Sequence, residues 1–138
     1  MAFPNGAGGY QVGDGNLNEL TLGYASAPLS VAATATLTAA QVTAGILLVG
    51  SGATSAQTYT LPAASLIDAV VTSAKAGSTF DLVVINLGTS SGTGALAMGS
   101  GTGFTDGGNA AVALAITSSA LFRFRKTGDG AYTVYKIA

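Results

Sequence analysis

The sequence predicts a mainly β fold: an antiparallel β-sandwich or barrel-like domain with one short amphipathic helix and an extended N-terminal arm. Three observations carry that expectation. The stretch Thr79-Phe-Asp-Leu-Val-Val-Ile-Asn-Leu87 is apolar on both alternating faces, rich in β-branched residues and bounded by Gly77 and Gly88. A strand of that kind belongs in the middle of a structure, covered above and below. Thr127-Gly-Asp-Gly130 separates two alternating segments, Ala120 to Lys126 and Ala131 to Ile137, which is the pattern of a β-hairpin. Residues 1–30 are punctuated by Gly6, Gly8, Gly9, Gly13, Gly15 and Gly23 and keep neither a helical nor a strand period, so they build no core of their own.

Composition sets the class of protein. A chain of 138 residues is one domain with room for one core, divided here into an arm over 1–30 and a β-rich domain over 31–138. Charged residues make up 8% of the chain, against roughly 25% in an ordinary soluble domain. Apolar residues make up 49% and the mean hydropathy is +0.52. No apolar run approaches the roughly 18 residues of a membrane-spanning helix, and Met-Ala-Phe-Pro-Asn-Gly lacks the basic and apolar regions of a signal peptide. A monomer so poor in charge leaves apolar patches exposed, and such patches mark contact surfaces; the expected state is an oligomer within a larger assembly. The net charge of −1 supplies no field that draws the chain to nucleic acid or membrane, and without cysteine there is neither disulfide nor thiolate chemistry.

Taken in order, the arm spaces Phe3, Tyr10, Val12, Leu17, Leu20, Leu22 and Tyr24 among glycines and asparagines. That arrangement suits a segment lying along a partner, with successive side chains in successive pockets and glycine allowing close approach. The alternative is a stretch folded back over its own sheet. Val31 to Leu37 reads as a strand. Thr38 and Gln41 have capping-box spacing for a helical turn from Ala39 to Ala44 that ends at Gly45. Ile46 to Val49 and Gln57 to Leu61 are further strands. Pro62 suits the first turn of the amphipathic helix, which would turn Ala63, Leu66, Ile67, Val70, Val71 and Ala74 inward and leave Asp68 and Lys75 in solvent. Residues 88–109 are rich in Gly, Ser and Thr, with Leu96 and Met98 on a short strand and Phe104 an isolated anchor; Ala110 to Ile116 is the next strand. In the hairpin, a Gly128-Asp129 loop sets Arg125 opposite Tyr132 and Arg123 opposite Val134, in preference to an Asp129-Gly130 loop that keeps the same faces but sets Arg123 opposite Lys136, a like-charge pair. It sends Phe122, Phe124, Tyr135 and Ile137 to the core, with Arg123, Arg125, Tyr132, Val134 and Lys136 on the other face.

The residues offer little chemistry. There is no histidine, so imidazole acid–base work and Ser-His-Asp triads are excluded. Asp14, Glu19, Asp68, Asp81, Asp106 and Asp129 are scattered, whereas a glycosidase needs two carboxylates across a cleft. Asp14-Gly-Asn-Leu-Asn-Glu19 departs from a calcium loop at its sixth and twelfth positions, and the glycine-rich pieces lack the lysine of a phosphate loop. The expectation is therefore no enzyme, no catalytic residue, no cofactor and no metal. Four of the five cations, Arg123, Arg125, Lys126 and Lys136, lie in the last hairpin. They form either the solvated face of an edge hairpin or a docking patch for an acidic protein surface; nucleic acid would require more cations and a stacking platform.

Gly8-Gly-Tyr-Gln-Val-Gly-Asp-Gly-Asn-Leu-Asn-Glu19, Leu37-Thr-Ala-Ala-Gln41, Tyr59-Thr-Leu-Pro62, Gly77-Ser-Thr-Phe-Asp-Leu-Val-Val-Ile-Asn86 and Phe122-Arg-Phe-Arg-Lys-Thr127, taken together and in this order, resemble a capsid decoration (cement) protein of tailed bacteriophages. The resemblance spans most of the chain and lies in texture and order, with no single diagnostic motif. It implies a small β-rich homotrimer on the outer surface of the virion that clamps neighbouring major capsid proteins, often through a terminal arm, with no catalytic residues. A trimeric receptor- or glycan-binding module of a phage fibre or spike is the alternative.

Overall fold

The computed structural model describes residues 25–89, 94–97, 102–111 and 113–138. The arm residues Phe3, Tyr10, Val12, Leu17, Leu20, Leu22 and Tyr24 lie outside them. The described chain is mainly β, with nine strands in two sheets and two short helices.

The first six strands alternate between the sheets. β1 (Leu29–Val31), β3 (Ile46–Val49) and β5 (Thr79–Asn86) lie side by side and parallel in the larger sheet. β2 (Ala35–Thr36), β4 (Gln57–Thr60) and β6 (Gly94–Ala97) do the same in the smaller one. Helix α1 (Ala39–Val42) follows β2, helix α2 (Ala64–Val70) follows β4, and the two pack together. The chain is thus wound in stacked coils, each turn crossing from sheet to sheet. The winding ends at β5, whose far side pairs antiparallel with β8 (Ser119–Gly128). β8 turns into β9 (Ala131–Lys136), and β7 (Phe104–Gly108) pairs parallel with β9 to complete the order β1-β3-β5-β8-β9-β7. Where an antiparallel arrangement was expected, the pairing is mixed.

One core lies between the sheets and under the helices. Leu47, Val49, Leu82 and Val84 from the larger sheet meet Leu37, Tyr59 and Leu61 from the smaller, with Val42, Ala64 and Ile67 from the helices. At the hairpin end the filling is aromatic: Phe80 stacks on Phe124 at 4.9 Å between ring centroids, and Phe104 meets Phe124 and Tyr132 at 6.2 and 6.0 Å. Buried Asn86 donates to the carbonyls of Leu114 and Ala115 and accepts from Gly88 N–H, which ties the end of β5 to the 114–115 loop without leaving a buried amide unpaired. Gly50, at φ +69°, passes 2.9 Å from Asn86 Oδ1 by the reckoning of an added Cβ; both the backbone and the space require glycine there.

Several local expectations hold. The Thr38 hydroxyl accepts from Gln41 N–H while Gln41 Oε1 accepts from Thr38 N–H, completing the capping box, and Gly45 takes φ +87° just beyond the helix. β5 lies within the expected core strand. Others change. Val31 to Leu37 is two strands in different sheets, with a bend at 32–34. Within Ala110 to Ile116 the described residues carry an isolated bridge at Leu114 and no strand. Phe104 opens a strand of its own.

Helix α2 starts two residues after Pro62 and is only seven residues long. It turns Ala64 and Ile67 inward, leaves Leu66 and Val70 more than half exposed, and brings Asp68 in from solvent. The reason is a set of partners that the helical wheel does not contain, described below. The hairpin register also differs. Phe122 pairs with Lys136, Phe124 with Val134 and Lys126 with Tyr132, with an extra residue between Lys126 and Gly128. A two-residue loop alone cannot give this pairing; the bulge shifts β9 by one position and exchanges its faces. Tyr132 and Val134 are therefore the buried pair, while Tyr135 lies on the outer face and Ile137 is exposed.

Candidate interaction surfaces

The four cations of the last hairpin do not form one patch. Lys126 shares the inner face of β8 with Phe122 and Phe124, and its side chain is 7% exposed. Its ammonium donates to Asp68 Oδ1 at 2.8 Å, and Tyr132 OH donates to the same oxygen at 2.6 Å. Gly130 N–H donates to Asp68 Oδ2 at 2.6 Å. Three donors, Lys126 foremost, hold the Asp68 carboxyl at about 2, well below its ordinary range. Burial and the Asp68 charge push the Tyr132 phenol up, and the Lys126 ammonium is raised chiefly by its bond to Asp68. This cluster bolts α2 to the hairpin. It explains why α2 rolls Asp68 inward at the expense of Leu66 and Val70.

Arg123 lies on the outer face of the larger sheet, register partner of Asp81 on β5. Its guanidinium makes a forked bond, Nε to Oδ1 at 2.7 Å and Nη2 to Oδ2 at 2.8 Å, which lowers the Asp81 carboxyl. Both side chains are well exposed. Arg125 stands beside Thr79 and Thr133 on the same face and is exposed. Lys136 lies at the other end of β9, where it lines an open cleft of about 410 Å³ with Asn109, Ile137 and Ala138.

The outer face of the larger sheet is itself divided. One half is apolar: Leu48 beside Ile85, and Ile46 beside Val83 and Leu121, with Ile137 N–H donating to the Leu121 carbonyl. Ile46 and Ile137 are exposed, and Leu48, Val83, Ile85 and Leu121 are half-buried. The other half is polar, with Asp81, Arg123 and Tyr135 in one row and Thr79, Arg125, Thr133 and Thr105 in the next. β5 was expected to be covered on both sides. Among the described residues the outer face of this strand is only half-buried at Val83 and Ile85.

Among the described residues two further acids lie at turns, and Asp129 Oδ1 is 3.6 Å from Lys126 Nζ. Asp106 Oδ1 accepts from Gly108 and Ala110 N–H, an Asx-type arrangement. Among the described residues no group of three His, Cys, Asp or Glu is placed to hold a metal ion, and no helix is long and apolar enough to cross a membrane.

The sequence reasoning missed the Asp68–Lys126–Tyr132 cluster because its members are far apart in the chain and the helical wheel assigned Asp68 to water. A buried-facing lysine next to Phe122 and Phe124 in strict alternation was the available signal.

No family model, no curated protein sequence and no solved structure matches this chain.

Proposed function

We propose that this chain is a non-enzymatic structural protein, a decoration or cement protein that binds the outer surface of a phage head as a homotrimer and stabilises contacts between major capsid proteins. In this reading the two sheets form a barrel-like sandwich, and residues 1–30 are an arm whose apolar side chains, from Phe3 to Tyr24, reach over neighbouring subunits. Trimeric attachment turns three weak contacts into tight binding.

The observation that carries the reading is a surface without charge. From Leu20 to Ile67 the sequence has no Asp, Glu, Lys or Arg. Its described part builds β1 to β4, α1 and the first half of α2. Together with the apolar half of the outer sheet face, this leaves an extended exterior free of charge, and exposed apolar patches mark contact surfaces. Mixing the purified protein with undecorated phage heads tests the proposal: saturable binding at three-fold positions supports it, and a folded protein that does not bind overturns it.

The row Asp81, Arg123, Tyr135 favours a second reading, because it sets an acid–arginine pair beside an aromatic side chain on the outer face. That is a pattern suited to sugar recognition by a trimeric fibre or spike module. Binding on a glycan array at micromolar concentration, lost in Tyr135→Ala, would select it over the first.

A further inference from the structure

β1 and β2 are edge strands at the same end of the wound coils. Among the described residues each has a single neighbour, β3 and β4 respectively. Their outer backbone groups are a template for another strand, and proteins ordinarily guard such edges with charge, proline or bulges. Here charge is missing as a guard, since no charged residue occurs between Glu19 and Asp68, and proline stands only ahead of β1, at Pro28, with none in β2. The core is open at the same place. Leu29 stands in register with Leu47, which is fully buried, yet Leu29 itself is 38% exposed.

We propose that this uncharged edge is a strand-acceptor site and that its occupant is Leu20–Tyr24 of the same chain, added alongside β2. Three observations select that occupant. Residues 1–24 lead directly into Ala25 and β1 and are longer than the coil from Leu29 to its register partner Leu47, so the chain has length for one more turn. Leu20, Leu22 and Tyr24 alternate with Thr21 and Gly23, the period of a strand with one buried face. The dipeptide Thr21-Leu22 also repeats Thr36-Leu37 and Thr60-Leu61. Thr36 and Thr60 are register partners, and Leu37 and Leu61 are both buried at the end of their strands. Setting Leu22 in line with Leu37 and Leu61 places a third leucine over the exposed side of Leu29. The link from Leu22 to Leu29 spans roughly 20 Å when extended, about twice the separation of packed sheets.

The inference stands whether or not the chain decorates a capsid. It reassigns Leu20, Leu22 and Tyr24 from partner contacts to an anchor, and leaves Phe3, Tyr10, Val12 and Leu17 to reach outward. The test uses the full chain alone. In hydrogen exchange, Leu22→Asp is expected to speed exchange of amides in Leu29–Leu37 at least tenfold, with Val12→Asp leaving them unchanged. Equal protection in Leu22→Asp and the parent overturns the proposal. The cysteine-free background allows a second measurement that does not depend on the stability of that variant: the double variant Thr21→Cys/Thr36→Cys should close an intramolecular disulfide, as neighbouring strand positions permit. A folded protein whose two thiols stay apart overturns the proposal. A disulfide found only between chains overturns it too, and assigns the edge to a second copy.

Discussion

The two ends of the coil stack are built from different materials. The early end, β1 to β4 with α1, is aliphatic and carries no charged side chain; its core is Leu37, Val42, Leu47, Val49 and Leu61, with Tyr59 as its one large ring. The late end, β5 and β7 to β9 with the second half of α2, holds Asp68, Asp81, Arg123, Arg125 and Lys126 and a cluster of four aromatic rings. The early end is held by burial, ladder bonds and hydrogen bonds between neutral groups, such as Thr34 to Gln57 and Tyr59 to the Ala32 carbonyl. The late end adds ion pairs between chain segments far apart in sequence. The difference teaches that the two ends answer to different conditions, and that only the late end is finished to face water.

That contrast can be broken or sharpened by substitution. The largest effect is expected at the bolt between α2 and the hairpin. Asp68→Ala leaves the Lys126 ammonium on the inner face of β8 with only the exposed Asp129, 3.6 Å away, and loss of the buried partner should lower the Tm by about 10–20 °C. Adding Lys126→Met should recover much of that loss; a Tm shift of only a degree or two in the single variant would mean that the cluster contributes nothing. At the early end, Leu37→Ala removes a side chain that is 2% exposed and should cost about 2–4 kcal/mol in urea unfolding. The loss should be the same at low and high salt, and a strong salt dependence would contradict the assignment of this end to burial and neutral bonds.

Acid should act on the late end only. The Asp68 carboxyl is held at about 2 against an ordinary 3.8, so the native state binds its proton later than the unfolded chain does. Its contribution is complete above about pH 4 and disappears as the pH falls through about 2, amounting to roughly 1–2 kcal/mol after discounting for its partial contact with water. Unfolding measured across that window should show the loss in the parent and a flatter profile in Asp68→Asn. The smallest effect is expected from Asp81→Ala. The Asp81–Arg123 fork is exposed on both sides, and such pairs are screened by solvent and salt; a shift in midpoint near experimental error, absent in high salt, is the expected result.

Local rules were readable in the sequence where the partners are close together. The capping box of Thr38 and Gln41, the turn at Gly45, the strand at Thr79–Asn86 and the hairpin around residue 129 all depend on neighbours within a few residues. The mixed pairing was less accessible, because strand order depends on non-local contacts, yet one clue lay in plain view. Thr36-Leu37-Thr38-Ala39-Ala40 and Thr60-Leu61-Pro62-Ala63-Ala64 are a repeat, and repeats of this kind mark stacked turns with parallel strands. The roll of α2 and the faces of β9 were not readable from periodicity. The first depends on a carboxylate finding donors on β8, β9 and the turn between them, and the second on one bulged residue that alternation rules do not anticipate. The candidate surfaces followed suit: Arg123 and Arg125 were placed on one face correctly, while Lys126, one position further on, belongs to the interior.

The Asp68 carboxylate has a consequence for how the hairpin finds its alignment. Lys126 and Tyr132 sit directly across from one another, and both reach the same oxygen on a separate helix. If β9 slid by a single residue against β8, Tyr132 would swing to the opposite side of the sheet and Asp68 would lose that donor. A misaligned hairpin is thus penalised by a third party. One acid acts as a gauge that passes only the correct setting, reading both strands and, through Gly130 N–H, the turn that joins them.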